Sequence, residues 1–394
     1  MTDESVRAQL QKTPLFGLAL HRMGRSVAPA WPAFELVKCL CVVGMVLVHS
    51  FYWTWTDNGR FLLPPQSPWF AAFQAGMFLG FFPLTLPLLA GVSLRLRFAA
   101  QERASTEGSA RDALKVFLDA ALLAVLGYAM NVLAVSWYVL WAWNVLQLVA
   151  LSILLIGLLY ARRSVWPVAV FGVVVLALSD PLRAWWTPES RGPLARVLLG
   201  DPTNWHQWPL FPWSATVAFG FVLGDAYLRH SGRGGFLRFC AAAGVSLAVL
   251  GAACAQLLPR FDPKNLIGSQ VMQPPAVAVV GLVGVVLLLF SALTVVQERL
   301  RLARYGMVRC FSAGILWIYL IHMILGVRSH NLIFSRVSHA EVAANPWSDW
   351  HPVFLIGFPA LLLLTSWGVG YLTVRWLHEK RLSIRLRKVN LGRA

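Results

Sequence analysis

Residues 33–53 read AFELVKCLCVVGMVLVHSFYW. The run is about as long as the 20 or so apolar residues that cross a bilayer core as a helix. Three ionisable residues interrupt it: Glu35, Lys38 and His49. Glu35 and Lys38 are i and i+3 and share a helix face. His49 follows Glu35 by fourteen residues, close to four turns and about 21 Å along the axis. All three therefore point roughly the same way. One face carries an acid and a base at one end and an imidazole toward the other. That suits a path lined by protein better than contact with lipid, where charge is costly and marks function by default.

Working outward, similar runs recur along the chain. The reading is an all-α, polytopic transmembrane helix bundle of about ten spans. They lie near 33–53, 68–94, 112–134, 139–160, 165–180, 208–228, 236–257, 275–296, 308–327 and 353–376. The fifth is the shortest. The composition agrees: 58% of residues are hydrophobic, 13% are charged and the mean hydropathy is +0.62. Soluble domains carry about 25% charged residues. The period-2 alternation of a membrane β-barrel is not seen.

The net charge of +17 is accounted for by placement, without nucleic acid. With the N-terminus in the cytoplasm, most of the 34 Lys and Arg fall on cytoplasmic segments, which predicts both termini inside. Arg95, Arg97, Arg162, Arg163, Arg299, Arg301 and Arg304 belong to that set. The expectation is a multi-pass protein of the inner, cytoplasmic membrane. Residues 1–31 read as a basic cytoplasmic segment, 32–378 as the membrane domain, and 379–394 as a basic, partly disordered cytoplasmic tail. No secretory leader is read in the first 30 residues, and residues 99–111 read as a cytoplasmic linker. Cys39, Cys41, Cys240, Cys254 and Cys310 all lie in apolar runs without metal-type spacing, so they read as buried apolar residues and no metal is expected.

Further polar residues fall within spans. Asp119 stands in the third and His322 in the ninth, within WIYLIHMIL, at a depth similar to that of His49. Asn131, Asn144 and Gln147 add neutral polarity. Histidine takes and returns a proton near neutral pH, so two at one depth are candidates to line one cavity. Pro83 and Pro87 in the second span predict a kink or break. Arg95 and Arg97 after it either set topology or hold phosphates, for which the guanidinium fork is suited. Outer loops 181–207 and 328–352 carry His206, His330, His339 and His351, possible contacts for a substrate outside the cytoplasm.

FELVKCLCVVGMVLVH at 34–49 resembles the first-span motif of the transmembrane acyltransferase superfamily: an acid, a basic residue three positions on, and a histidine fourteen after the acid. FFPLTLPLLAGVSLRLR at 81–97, WNVLQLVALSILL at 143–155, WPLFPWSATVAFGFVLGDAY at 208–227 and GILWIYLIHMIL at 314–325 are similar, in order, to segments of its heparan-α-glucosaminide N-acetyltransferase-like branch in bacteria. Glu35, Lys38 and Cys39 stand where the usual motif has Asp, Arg and Gly, and Leu148 follows Gln147 where Arg is usual. The resemblance implies transfer of an acetyl or other acyl group from cytoplasmic acyl-CoA to a hydroxyl or amine of an extracytoplasmic sugar or other glycan. His49 is then base or acyl carrier, with His322 on the acceptor side. Glu35 and Lys38 shape the cytoplasmic half of the tunnel, and Arg95 and Arg97 hold the phosphates of the donor. The expected partners are the lipid bilayer, acyl-CoA and the acceptor, and the reading is compatible with an oligomer. Two alternatives stay open: a transporter or flippase for a lipid-linked glycan, and a degenerate acyltransferase acting as a partner subunit.

Overall fold

The computed structural model describes residues 31–57, 60–61, 85–104, 110–135, 142–186, 192–200, 208–230, 233–257, 273–334 and 357–391. Among these the chain is helical apart from short connections and a two-residue antiparallel ladder, Thr56–Asp57 with Arg60–Phe61. In chain order the helices are α1 (Pro32–Trp55), α2 (Leu86–Ala104), α3 (Ala110–Met130), α4 (Val145–Leu159), α5 (Trp166–Trp185), α6 (Pro193–Leu199), α7 (Leu210–Arg229), α8 (Arg233–Leu257), α9 (Ala276–Leu300), α10 (Gly306–Ala313), α11 (Ile315–Phe334) and α12 (Phe358–Leu391).

Among the described residues seven helices are long and apolar enough to cross a membrane: α1, α3, α4, α5, α8, α9 and α12. The bent pair α10–α11 makes an eighth if counted as one span. The chain is thus a multi-pass helical membrane protein. The sequence counted two spans more, at α2 and α7. Much of the first of these, 68–84, lies outside the described residues. Helix α7 is buried along nearly its whole length, from Leu210 to Asp225. It therefore faces protein, so its composition need not match that of a lipid-facing span.

Helix α5 shows the lipid-facing pattern. It has 20 residues, about 30 Å of helix and thus the thickness of the hydrocarbon core. Val170, Val173, Val174 and Leu178 are exposed along it, and Trp166 and Trp185 are exposed at its two ends, as in an interfacial aromatic belt. It runs five residues past the span read from sequence. Arg183 supports this extension by donating to the carbonyls of Leu199, Pro274 and Phe211.

Other boundaries also shift. Pro87 is the second residue of α2, in the first turn, where its missing N–H has no intrahelical partner to lose. It starts a helix instead of breaking one; Pro83 lies outside the described residues. Helix α2 continues to Ala104 and α3 begins at Ala110, so the linker shrinks to 105–109. Helix α3 ends in a π-turn, Asn131–Val135. Asn144 starts α4: its side chain accepts from Leu146 N, and the Gln147 side chain accepts from Asn144 N, a capping box that satisfies two otherwise orphan donors. The ninth span bends by 76° between α10 and α11. Helix α12 runs through Leu391, where the sequence suggested an irregular tail. Helix-forming Lys, Arg and Leu predominate there, with neither Gly nor Pro between 379 and 391, which favours continuation.

Helices α2 and α7 pack backbone to backbone. A Cβ on Gly91 would meet Val217 O at 1.9 Å, and one on Gly220 would meet Leu88 O at 1.9 Å. Only glycine permits that approach at either position. Helix α1 lies against α9, α10, α11 and α12. Its Val42, Met45, Val46 and Trp53 join one apolar cluster with Ile318, Tyr319 and Leu320 of α11.

Candidate functional site

The side chains of His49 and His322 meet although 273 residues separate them: His49 Nδ1 and His322 Nε2 are 2.9 Å apart. The ring planes differ by 5° with centroids 5.2 Å apart. With the nitrogens that close, this is two rings edge to edge in nearly one plane, the geometry of an N–H···N bond. His322 Nδ1 is 2.8 Å from Ile318 O. A carbonyl only accepts, so His322 Nδ1 carries hydrogen. In neutral His322, Nε2 is then the acceptor and His49 Nδ1–H donates to it. The tautomer of His49 follows from this network, and the lone pair of its imidazole lies on Nε2.

The pair is walled by aromatics. Trp53 lies 5.5 Å from the His49 ring and 6.1 Å from that of His322, and Tyr319 lies 5.7 Å from His322. Trp53 seats against α11 because residue 326 is glycine: a Cβ there would fall 1.7 Å from the indole. His322 is 1% exposed, whereas His49 is only partly buried. The inner imidazole is shielded and the outer one is more accessible.

At the other end of α1, Lys38 Nζ is 2.8 Å from Glu35 Oε1 and 4.8 Å from the centre of the Phe34 ring. Ser312 donates to Glu35 Oε2. Ser312 lies in α10, directly before the bend at Gly314. The structure thus brings the acid and base of the first-span motif together and adds a hydroxyl from the broken helix.

Arg95 and Arg97 occupy two different ion pairs. Arg95 is 8% exposed. Its Nε donates to Asp225 Oδ1 at 2.9 Å, and Nη1 lies 3.5 Å from Glu102 Oε2. Its guanidinium stands over the rings of Tyr160 and Phe221. Tyr160 donates to Glu102 Oε1 at 2.8 Å, and Arg229 pairs with Asp225 Oδ2 at 2.6 Å. Arg97 Nη1 pairs with Asp119, while its buried Nη2 has no hydrogen-bond partner among the described residues. A phosphate reaching Arg95 would compete with two carboxylates; at Arg97 one donor stands open. Sequence reasoning did not single out Asp225, Glu102, Tyr160 or Ser312. Asp225, an acid inside GFVLGDAYL, carries the same signal as Asp119.

The four cysteines Cys39, Cys41, Cys240 and Cys310 are buried and Cys254 is partly so; all five are free thiols. Among the described residues no group of three or more His, Cys, Asp or Glu is arranged to hold a metal ion. His206, His339 and His351 lie outside the described residues, and His330 lies within α11.

A family model described as heparan-alpha-glucosaminide N-acetyltransferase, catalytic, matches residues 31–257. The match holds Glu35, Lys38, His49, Arg95 and Arg97 and stops short of His322. No curated protein matches the sequence. With more than half of its residues covered by that match, the chain belongs to the heparan-α-glucosaminide N-acetyltransferase catalytic family.

Proposed function

We propose that this protein moves an acetyl or other acyl group from cytoplasmic acyl-CoA across the inner membrane to a hydroxyl or amine of an extracytoplasmic sugar or other glycan. Both termini face the cytoplasm, and His49 is the base. The observation that carries this reading is the coplanar His49–His322 pair at one end of a helix whose other end holds the Glu35–Lys38 pair.

The acceptor N–H or O–H meets His49 Nε2, which takes its proton as the nitrogen or oxygen attacks the thioester carbonyl. The carbon–sulfur bond breaks, and the His49 imidazolium returns that proton to the departing CoA thiolate. The acyl group and the proton are then both accounted for, and no metal or redox partner enters. His322 holds the tautomer: its Nε2 accepts the Nδ1 hydrogen of His49, which keeps the His49 lone pair on Nε2 and stabilises the imidazolium formed on proton capture. His322 acts through His49 and is a positioning residue.

Glu35 sits about 21 Å and Lys38 about 16 Å from His49 along α1, a span suited to the extended arm of a coenzyme A thioester entering from the cytoplasm. Lys38 and the open donor of Arg97 are the cations for its phosphates. The Arg95 cluster, whose charges are matched within the protein, braces α2 against α7.

The test is transfer of labelled acetyl from acetyl-CoA to glucosamine by purified protein in proteoliposomes. Wild-type protein is expected to label the sugar, and His49→Ala to reduce the rate by about 10² to 10⁴, the usual weight of a general base. Absence of both labelling and any thermal stabilisation by saturating acetyl-CoA would sink the enzyme reading.

A further inference from the structure

The N-terminal turn of α4 carries a cluster of amides. Asn144 Nδ2 donates to Asn131 Oδ1 at 2.8 Å and to Gly127 O at 3.2 Å, and Asn131 Nδ2 donates to Ala142 O at 2.7 Å. Gln147 Oε1 accepts from Asn144 N at 3.1 Å. That bond fixes which way the Gln147 amide faces: turned over, its NH₂ would point at another N–H. Gln147 Nε2 is then a donor, on a side chain 1% exposed, and it has no hydrogen-bond partner among the described residues. Trp143 Nε1 is a second buried donor without a partner among the described residues. The bond from Asn144 N sets the Gln147 amide against the peptide that joins Trp143 to Asn144, so both donors belong to residues of one turn. An unpaired buried donor costs about 1–3 kcal/mol, so each of these two donors is suited to receive an oxygen.

Three features narrow the ligand. Both open groups are donors, and the helix N-terminus adds positive potential, so the ligand presents lone pairs. Trp208 is tied to this turn through its backbone N–H on Trp143 O at 3.2 Å, and its ring packs on Trp213; indole faces with planar amides suit a ring edged with hydroxyls. The cluster also adjoins the helix of the histidine pair: Arg328 Nε donates to Leu133 O at 2.8 Å, in the π-turn that Asn131 opens. Arg328 is six residues beyond His322, about 9 Å along α11.

We propose that Gln147 Nε2 and Trp143 Nε1 form an acceptor subsite that binds the hydroxyl or ring oxygens of a sugar, holding the glycan while its reacting group meets His49. This rests on the acyltransferase reading, but sugar binding is measurable without donor or turnover.

The experiment is a thermal-shift titration of the full-length protein in detergent with D-glucosamine and with cellobiose, in the absence of acetyl-CoA. Trp143→Phe removes one N–H and leaves a ring. Gln147→Glu keeps an oxygen for the Asn144 cap, as capping boxes commonly do, and replaces the open donor. Wild-type protein is expected to bind at least one sugar saturably, and each variant to bind it about tenfold more weakly, the loss of one hydrogen bond. Their shift with acetyl-CoA should stay as in the wild type. Failure of both sugars to bind the wild type, or wild-type sugar affinity in Trp143→Phe, overturns the proposal; in the second case the donors hold internal water. Trp143→Phe carries the test however Gln147→Glu folds. Sugar binding with the expected losses, in a protein that transfers no acetyl group, would overturn the acyltransferase reading and leave the subsite standing.

Discussion

Replacing His322 by leucine separates positioning from packing. The side chain is 1% exposed, and leucine is of similar bulk, so the fold is expected to survive. What disappears is the acceptor for His49 Nδ1–H, 2.9 Å away. His49 is then free to place its hydrogen on either nitrogen, and the imidazolium formed during transfer loses its partner. A hydrogen bond to a charged group contributes about 1.5–3 kcal/mol, so kcat should fall by about 10- to 150-fold at roughly 1.4 kcal/mol per decade. KM for acetyl-CoA should not move. His322→Gln, which offers a side-chain oxygen to the same N–H, should recover part of the rate. The assay is steady-state acetyl transfer, with a double-mutant cycle against His49→Ala. If His322 works only through His49, adding His322→Leu to His49→Ala costs nothing further. An equal loss from His322→Leu in both backgrounds would refute the relay, as would wild-type kcat in His322→Leu alone.

Two further expectations concern the frame around the pair. Arg95→Met strips a buried guanidinium from Asp225, which keeps Arg229, and from the partly exposed Glu102; losing these charge-assisted bonds should cost about 1.5–3 kcal/mol, read as a lower unfolding temperature, with KM for acetyl-CoA unchanged. A raised KM at wild-type stability would instead place Arg95 on the donor's phosphates. Gly326→Ala puts a methyl into the Trp53 indole, an overpacking worth about 1–3 kcal/mol. It should depress transfer by displacing the wall of the histidine pair, and Trp53→Leu in the same chain should restore part of the activity; loss without such rescue would mean that Trp53 is not the affected contact.

The first-span site was legible because its information is local. An acid, a base and an imidazole in one apolar run are visible at once, and the i,i+3 spacing of Glu35 and Lys38 already implies the ion pair found between them. What those residues meet was not legible. Ser312 reaches Glu35 across 277 positions, and no periodicity encodes that approach. Similar depth suggested that His49 and His322 share a cavity, but only the relative rotation of α1 and α11 brings nitrogen to nitrogen. Arg97 and Asp119 were both visible as charges without visible partners, and they turn out to be each other's. The π-turn after Met130 and the bend at Gly314 also escaped, because both are set by what the neighbouring helices demand. Helix α7 read as a span; it is buried in protein along nearly its whole length, where the apolarity of a lipid-facing helix is not required.

The distance in sequence between His49 and His322 also has a meaning in time. Synthesis proceeds at about 5–20 residues per second, so the 273 intervening residues take on the order of 15 to 55 s to emerge. For that interval α1 resides in lipid without the helix that completes its site. The Glu35–Lys38 bridge lies within α1 and forms as soon as the helix does, so this segment enters the bilayer with its charges already balanced. The histidine waits for a partner made later.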